Sequence, residues 1–379
     1  MKEGLYSRRE TLAMAAAVGL LPSCATSAVL PERLAWQKLP TEPYAGKQDD
    51  IAFGSVRRGW FGNGKGLLFR TDDGGDSWTR VWEKPGTFVR ALGFFDENEG
   101  VLGNVGVGSF PGVQDTVPLY RTADGGVSWT PAKVDGPVPG GICAIEIVRS
   151  AFIDRGNRSE RTIVHAAGRV GGPAHYLRST DRGRCWLSRD LGALTAAIFD
   201  VKFLGPRTGF LAGSSDSDLA KARGLILRTD DGGDSWREVF RSKRDVETVW
   251  KLHFPSGRTG YGTIQSYDPD PANVQRFVAK TDDGGLSWYE VPLVQDAKWR
   301  SFAVGFASER LGWIGGTTGG LETRDGGATW KPVEMGRAVN KIRFVGTGTG
   351  RRAFAIGSDV HRLDLSGVSD DMQLRRPMG

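Results

Sequence analysis

Apolar and polar residues alternate along this chain in short stretches, a pattern that predicts β-strands rather than helices. Six stretches end in an apolar residue, any residue and then phenylalanine, at 51–53, 92–94, 201–203, 252–254, 304–306 and 342–344. A glycine followed by an aromatic residue opens a second strand after four of them, at 59–60, 209–210, 260–261 and 312–313. A third and a fourth strand follow, so the pattern predicts a four-stranded sheet repeated along the chain.

An octet of nearly constant composition separates the third strand from the fourth and recurs six times. Its first copy begins at Thr71 and continues through Asp73, Gly74 and Gly75 to Trp78. Glycine adopts the positive φ that tight turns need, and an aspartate carboxylate can accept N–H groups of its own turn. The tryptophan buries a large ring as the next strand begins. We therefore predict structural roles for the aspartates and tryptophans of the octets: Asp73, Asp124, Asp181, Asp231, Asp283, Asp325, Trp78, Trp129, Trp186, Trp236, Trp288 and Trp330.

The spacing of the octets predicts the fold. Successive octet tryptophans are 42 to 57 residues apart, the length of one blade of a β-propeller. The stretch 339–365 supplies three further strands without an octet, and the strand around Trp36 resembles those that follow octets. We predict an all-β, seven-bladed propeller over 31–367, with the N-terminal strand completing the last blade so that no sheet edge is left exposed.

The two ends of the chain are predicted to lie outside the propeller. Arg8 and Arg9, ahead of a short alanine-rich apolar stretch, predict a twin-arginine signal peptide over 1–30 and export to the periplasm. Cys24 lies in a sequence that resembles a lipobox and would carry a lipid anchor, whereas 25–27 offers a site for ordinary signal peptidase; both cleavages stay open. No partner strand is expected for 368–379, which we predict to be disordered.

Composition and charge narrow the possible partners. Glycine is about twice as frequent as average, with 54 of 379 residues, which suits many tight turns. The net charge of +6 comes without a basic helix, so we expect an acidic protein segment or an anionic membrane face rather than nucleic acid. The scattered histidines have no ligand spacing, and we expect no metal or cofactor. Cys143 and Cys185 fall on different strands, which favours two separate buried thiols over a disulfide.

The octets resemble the Asp-box, or bacterial neuraminidase, repeat, and the chain as a whole resembles the photosystem II stability/assembly factor family of seven-bladed propellers. That resemblance covers nearly the entire mature chain, in the glycine–aromatic pairs and in octets such as 71–78. It implies a non-enzymatic, exported binding factor for a membrane protein or an assembly intermediate, monomeric and peripheral to or lipid-anchored in a membrane.

A carbohydrate-active enzyme, either a glycoside hydrolase or a sialidase-like protein, is the alternative, together with a glycan-binding propeller. A glycosidase needs two carboxylates that face each other across a cleft, and a sialidase adds an arginine triad. We expect carboxylates and arginines at the mouth of the central channel if the chain is an enzyme. An apolar mouth with a basic rim would instead indicate a binding protein.

Two basic surfaces are candidates for partner binding. The first lies in the turns beside the octets, and the second lies on the opposite face, near three long loops at 105–117, 214–223 and 266–275. The second surface includes a tryptophan that is either exposed beside the basic residues or packed between blades. The candidate residues are Arg57, Arg207, Arg258 and Arg310 for the first surface, and Arg241, Lys243, Arg244, Trp299 and Arg300 for the second.

Overall fold

A computed structural model describes residues 34–154 and 157–368. The predicted signal peptide, Cys24 and the part of the predicted tail after Val368 lie outside these residues. Val368 itself is 5% exposed and packs in the core of the last blade. No helix among the described residues is long and apolar enough to cross a membrane.

The described residues form seven sheets, six with four strands and one with five, as the octet spacing predicts. The strands up to the middle of the chain are β1 (Gln37–Lys38), β2 (Gln48–Phe53), β3 (Gly59–Asn63), β4 (Leu67–Thr71), β5 (Thr79–Glu83), β6 (Val89–Phe94), β7 (Gly100–Asn104), β8 (Leu119–Thr122), β9 (Thr130–Pro131), β10 (Lys133–Asp135), β11 (Ala144–Asp154), β12 (Asn157–Gly168), β13 (His175–Ser179) and β14 (Cys185–Asp190). The strands that follow are β15 (Ala197–Phe203), β16 (Gly209–Ser214), β17 (Gly224–Thr229), β18 (Arg237–Arg241), β19 (Glu247–His253), β20 (Gly260–Ser266), β21 (Gln275–Thr281), β22 (Tyr289–Gln295), β23 (Ser301–Phe306), β24 (Gly312–Gly316), β25 (Gly320–Thr323), β26 (Lys331–Val333), β27 (Lys341–Val345), β28 (Arg352–Ile356) and β29 (Val360–Asp364), with a turn of 3₁₀ helix at Gly348–Gly350.

We number the blades in chain order, from β2–β5 as blade 1 to β27–β29 as blade 7. The first strand of each blade is its inner strand, which lines the central channel. Blade 7 is completed by β1, which pairs antiparallel with β29. Trp36 is 9% exposed and meets Trp313 of blade 6 edge-on, with ring centroids 5.6 Å apart. The predicted all-β propeller, closed by its N-terminal strand, is confirmed.

The phenylalanine that ends the inner strand and the glycine that opens the second strand recur together because they are in contact. The Phe53 ring at the end of the inner strand covers Gly59, where a Cβ atom would lie 2.4 Å from the ring. Phe203 and Gly209 repeat the contact in blade 4, at 2.5 Å. Any side chain at these glycines would clash with the ring, so the close approach requires glycine.

The aromatic residue after the glycine joins neighbouring blades. The Trp60 ring stacks on Phe94 of the next blade with centroids 3.4 Å apart. Its indole N–H donates to the carbonyl of Gly125, in the octet of that blade, at 2.9 Å. Tyr261 repeats the arrangement, donating to the carbonyl of Gly326 at 2.7 Å. Trp60 and Tyr261 thus bury apolar area between two sheets and satisfy their polar atoms in the next octet, whereas the indole of Trp313 donates to Glu322 of its own blade at 2.9 Å.

The octet turns are held by their aspartates. The Asp231 carboxylate accepts the hydroxyls of Thr229 and Ser235 at 2.7 and 2.6 Å, and the backbone N–H groups of Asp234 and Ser235 at 2.9 Å. The Ser235 hydroxyl, with these N–H groups, holds the pKa of Asp231 well below its usual range. These bonds stabilise the turn between the third and fourth strands, so the octet has a structural role.

The third octet departs from the others. Cys185 stands where the other copies have serine or threonine, and its backbone N–H still donates to Asp181 at 3.0 Å. Its side chain is exposed, whereas Cys143 is buried, and both are free thiols. The expectation of two buried thiols is therefore wrong for Cys185, because the residue before the octet tryptophan points away from the core.

Blade 3 is the irregular blade. Its first two strands, β11 and β12, have 11 and 12 residues and form a long hairpin. His165 takes the place of the aromatic residue and stacks on Phe203 at 3.5 Å. A fifth strand, β10, pairs parallel with β14 at the outer edge. Blade 3 contains neither strand motif, so the sequence pattern did not predict this hairpin.

Candidate functional site

The propeller has two faces, which carry different connections. The octet face carries the octet turns and the turns between first and second strands, which are bonded together: the N–H of Gly74 donates to the carbonyl of Arg57 at 2.7 Å. The loop face carries the connections between second and third strands and between blades. Among the connections between second and third strands, the longest join β7 to β8, β16 to β17 and β20 to β21, as predicted. Such loops on a rigid scaffold are where binding sites are commonly found.

Five inner strands contain a β-bulge near their loop-face end. The pairing shifts register in β2, β6, β15, β19 and β23. A bulge inserts an unpaired residue and re-aims its side chain. The residues at the bulges are Asp49, Arg90, Phe199, Trp250 and Phe302. The last four line one cavity at the mouth of the channel.

That cavity holds about 370 Å³, and its lining comes from five blades. It therefore lies on the axis of the propeller. Most of its wall is apolar, and the three long loops contribute to it. We call it the aromatic cup and define it by Phe110, Val170, Phe199, Trp250, Tyr267 and Phe302.

Trp250 forms the floor of the cup and spans the channel. Its ring stacks on Phe199 with centroids 4.6 Å apart. Its indole N–H donates to the side chain of Asn340, which directly precedes the inner strand of blade 7, at 3.3 Å. The guanidinium of Arg90 lies 5.3 Å from the ring centroid. Contacts from three other blades fix this indole, so the cup is a preformed pocket.

Basic groups lie in and around the cup. The guanidinium of Arg300 is exposed and lies over the Tyr267 ring, 4.7 Å from its centroid. Lys47 is 5.4 Å from the Phe302 ring, and burial, partly offset by Asp49, lowers the pKa of Lys47 to about 8. A cup with apolar walls and cationic groups beside it matches the arrangement expected of a binding protein.

Below the cup, the carboxylates of the channel are paired with cations. Asp49 bonds Arg90 at 2.6 Å, and each side chain is 1% exposed. The other three pairs are Asp50 with Lys341 at 2.8 Å, Asp200 with Lys251 at 3.5 Å and Glu146 with Lys202 at 2.7 Å. Burial opposes ionisation of Asp50, but Lys341 and Arg343 hold its pKa below the usual range. Burial likewise opposes ionisation of Asp200, and Lys251 and Lys202 hold the pKa of Asp200 below its usual range.

The four arginines predicted beside the octets lie on the octet face. Each is exposed and occupies the equivalent turn of its blade. The side chain of Arg207 donates to the carbonyl of Asp230 at 3.2 Å, and that of Arg258 to the carbonyl of Asp282 at 3.4 Å. They are distributed over blades 1, 4, 5 and 6 and do not converge on a cavity. The residues are Arg57, Arg207, Arg258 and Arg310.

The basic residues predicted on the loop face divide into two groups. Arg241 bonds Glu238 through both ends of its guanidinium, at 3.0 and 2.7 Å. Arg244 is paired with Glu247 at 2.7 Å and with Glu290 at 3.0 Å. These two arginines are engaged with neighbouring acids. Lys243 and Arg300 are exposed, and neither side chain forms an ion pair with an acid among the described residues.

Of the two alternatives for Trp299, exposed on the loop face or packed between blades, the structure shows the packed one. Trp299 is 6% exposed and donates its indole N–H to the Ser301 hydroxyl at 3.1 Å. A Cβ atom on Gly316 would lie 2.3 Å from the indole. The missing side chain of Gly316 leaves the space that Trp299 fills, so Trp299 belongs to the core.

The aromatic cup was missed, although the repeat contains a signal for it. Phe199, Trp250 and Phe302 each lie four residues before the phenylalanine that ends the motif of their blade, at Phe203, Phe254 and Phe306. Aligning the repeats on that phenylalanine would have put all three in one ring of positions. Their direction could not be deduced, because a bulge reverses the alternation of faces along a strand.

Fold and site together define a seven-bladed β-propeller with a preformed apolar pocket at one end of its channel. No model of a protein family matches the chain. The chain is homologous to the photosystem II assembly lipoprotein Ycf48 of Synechococcus sp. (strain CC9902), with 26% identity over 270 residues, 60% of this chain and 73% of the relative.

Solved structures of Ycf48 share the fold. The structure of YCF48 bound to D1 peptide has a TM-score of 0.61 and 17% identity, covering 91% of this chain and 99% of that one. YCF48 from Cyanidioschyzon merolae has a TM-score of 0.60 and 17% identity, covering 87% of this chain and 99% of that one.

Proposed function

We propose that this chain is an exported, non-enzymatic factor that binds a segment of a membrane protein during assembly, as photosystem II assembly factors do. The observation that carries the proposal is the homology to Ycf48 across 73% of that assembly lipoprotein. A Ycf48 structure of the same fold is described as bound to a D1 peptide, which supports a polypeptide segment as the partner here.

The aromatic cup is the proposed binding site. An apolar side chain of the partner enters the cup and covers Trp250 and Phe302, and acidic residues beside that anchor meet Arg300 and Lys47. Buried aromatic pockets of this kind carry most of the energy of an interface, while charges at the rim favour the correct partner. The engaged arginines of the loop face, Arg241 and Arg244, contribute less in this scheme than Arg300.

Export and anchoring complete the proposal. The twin-arginine signal delivers the folded monomer to the periplasmic side, where a lipid on Cys24 or peripheral contact holds it at the membrane. The relative in Synechococcus is a lipoprotein by name, which supports the lipid on Cys24.

The ion pairs of the channel support a non-enzymatic role. A glycosidase keeps one carboxyl group protonated as its general acid, which requires a raised pKa. Asp50 and Asp200 have lowered pKa values, and Glu146 is paired with Lys202. Neither Asp50 nor Asp200 therefore has the environment of a general acid.

Affinity purification of the tagged, exported protein from its own membranes tests the function. We expect mass spectrometry to find one membrane-protein complex enriched over an untagged control. Arg300→Glu is expected to lower its recovery about three- to tenfold, because a rim charge contributes about 1 kcal/mol. Arg310→Glu makes the same charge change at an exposed arginine of the octet face and is expected to leave recovery unchanged.

Two outcomes would count against the proposal. If no membrane protein is enriched and the purified chain cleaves or retains a glycan on an array, the assembly function is wrong. If Arg310→Glu lowers recovery and Arg300→Glu does not, the partner binds the octet face and the cup is not its site.

A further inference from the structure

A second cavity lies deeper in the channel, on the octet side of Trp250. It holds about 220 Å³ and lies between the inner strands of blades 4, 5, 6 and 7. We call it the channel chamber and define it by Asp200, Lys202, Lys251, His253, Lys341 and Arg343. The partner-binding function proposed above makes no use of this chamber.

Cations outnumber carboxylates in the chamber. Four of the six defining residues are lysine or arginine, and one is an acid. Two further carboxylates, Asp50 and Glu146, pair with these cations from neighbouring positions. Even with them, three acids face four lysine and arginine side chains. Arg343 is the cation left over, since its Nη2 lies 3.9 Å from the Asp50 carboxylate that Lys341 already bonds at 2.8 Å.

The chamber's cations also supply hydrogen-bond donors toward the cavity. Backbone carbonyls take some of these donors: Arg343 Nε donates to Ile51 at 3.2 Å and Lys251 Nζ to Phe199 at 2.8 Å. A lysine ammonium has three N–H donors, and Lys341 uses one of them for Asp50 at 2.8 Å. Lys202, Lys341 and Arg343 line the cavity, so the chamber favours an occupant that is anionic and rich in acceptors.

Burial and neighbouring cations shift the pKa values of the chamber's titratable groups. Burial, with the neighbouring Arg343, lowers the pKa of Lys341 to about 7, against the attraction of Asp50. Burial, with Lys202, lowers the pKa of His253 to about 3, so this histidine is neutral at physiological pH. Burial is the larger cause of both shifts, and the neighbouring cations act in the same direction.

We propose that the channel chamber binds a small multivalent oxyanion, such as phosphate or sulfate. The anion would accept hydrogen bonds from Arg343, Lys341 and Lys202, whose side chains are 22%, 8% and 18% exposed and so remain reachable from the cavity. It would join blades 4 and 7 across the channel and stabilise the closed ring. The ligand would come from solution and not from the partner protein.

Isothermal titration of the purified, exported protein with phosphate, sulfate and chloride at constant ionic strength tests the site. We expect saturable one-to-one binding of phosphate or sulfate, a rise in melting temperature with either, and no saturable binding of chloride. Arg343→Gln is expected to weaken oxyanion binding about tenfold or more, because it removes a charge-assisted hydrogen bond to the anion. Arg343→Lys should retain part of the affinity.

Arg337→Gln is the matched control, since it removes the same charge from an exposed arginine that does not line the chamber. Equal weakening by Arg337→Gln and Arg343→Gln would overturn the site, as would no saturable binding of any oxyanion to the unaltered protein. The Arg343→Gln variant is expected to recover the membrane partner as the unaltered protein does, because partner binding depends on the cup. A loss of oxyanion binding alone therefore leaves the proposed function untouched.

Discussion

Replacing Trp250 with leucine is expected to reduce recovery of the membrane partner about thirtyfold or more, corresponding to about 2 kcal/mol for a central aromatic anchor. The substitution keeps an apolar side chain in the channel but removes the flat floor of the cup and the hydrogen bond to Asn340. Trp250→Ala should reduce recovery at least as far. Affinity purification against an untagged control measures both, with circular dichroism to follow the fold.

Trp129→Leu is the matched control for this prediction. Trp129 is a half-buried octet tryptophan on the opposite face of the propeller, bonded to the carbonyl of Gly126 at 3.1 Å. Its replacement disturbs packing in the same way without touching the cup. If Trp250→Leu recovers as much partner as Trp129→Leu, the cup does not contribute to binding.

Trp36→Ala is expected to lower the free energy of unfolding by about 3–5 kcal/mol, the usual cost of truncating a buried tryptophan. The ring is 9% exposed and packs edge-on against Trp313, within the core that β1, blade 6 and blade 7 share. Losing it weakens the attachment of the strand that closes the propeller. Denaturant unfolding of the exported protein measures the difference.

Lys38→Ala is the comparison within the same strand. Lys38 pairs with Asp359 at the surface, where its side chain is 63% exposed, so its removal should cost less than about 1 kcal/mol. Equal losses for Trp36→Ala and Lys38→Ala would mean that β1 does not hold the ring closed in solution.

The fold could be predicted from the sequence because its signals are local and repeated. Each octet specifies a turn through bonds within eight residues, as in the bonds of Asp231 to Thr229 and Ser235. Six copies at the length of a blade predict six sheets, and the strands of 339–365 with the N-terminal strand predict the seventh. The closing strand was found because the segment around Trp36 resembles the strands that follow octets.

The candidate site could be predicted only in part, because it depends on contacts between distant blades. The sequence pointed to the long loops and to Arg300, which lies beside the cup. It did not reveal the cup, since the direction of Phe199, Trp250 and Phe302 is set by bulges in the strand pairing. It left the position of Trp299 open because the space for that indole is created by Gly316, seventeen residues further along the chain.

The long hairpin of blade 3 escaped prediction for a related reason. Its strands lack the phenylalanine and the glycine whose contact marks the other inner strands, and the pairing continues to Asp154 and Asn157. A regular alternation of residues does not say where a hairpin leaves the sheet. The register of the whole pair is needed, and only the structure provides it.

Photo-crosslinking from the cup tests the central claim most directly, using a photoreactive amino acid in place of Leu219. This residue lines the cup and is 40% exposed, so the replacement should not disturb the fold. Val127, which is 54% exposed on the octet face, receives the same amino acid as the control. The account predicts an adduct with one membrane protein from position 219 and none from position 127. An adduct from position 127 alone would contradict it.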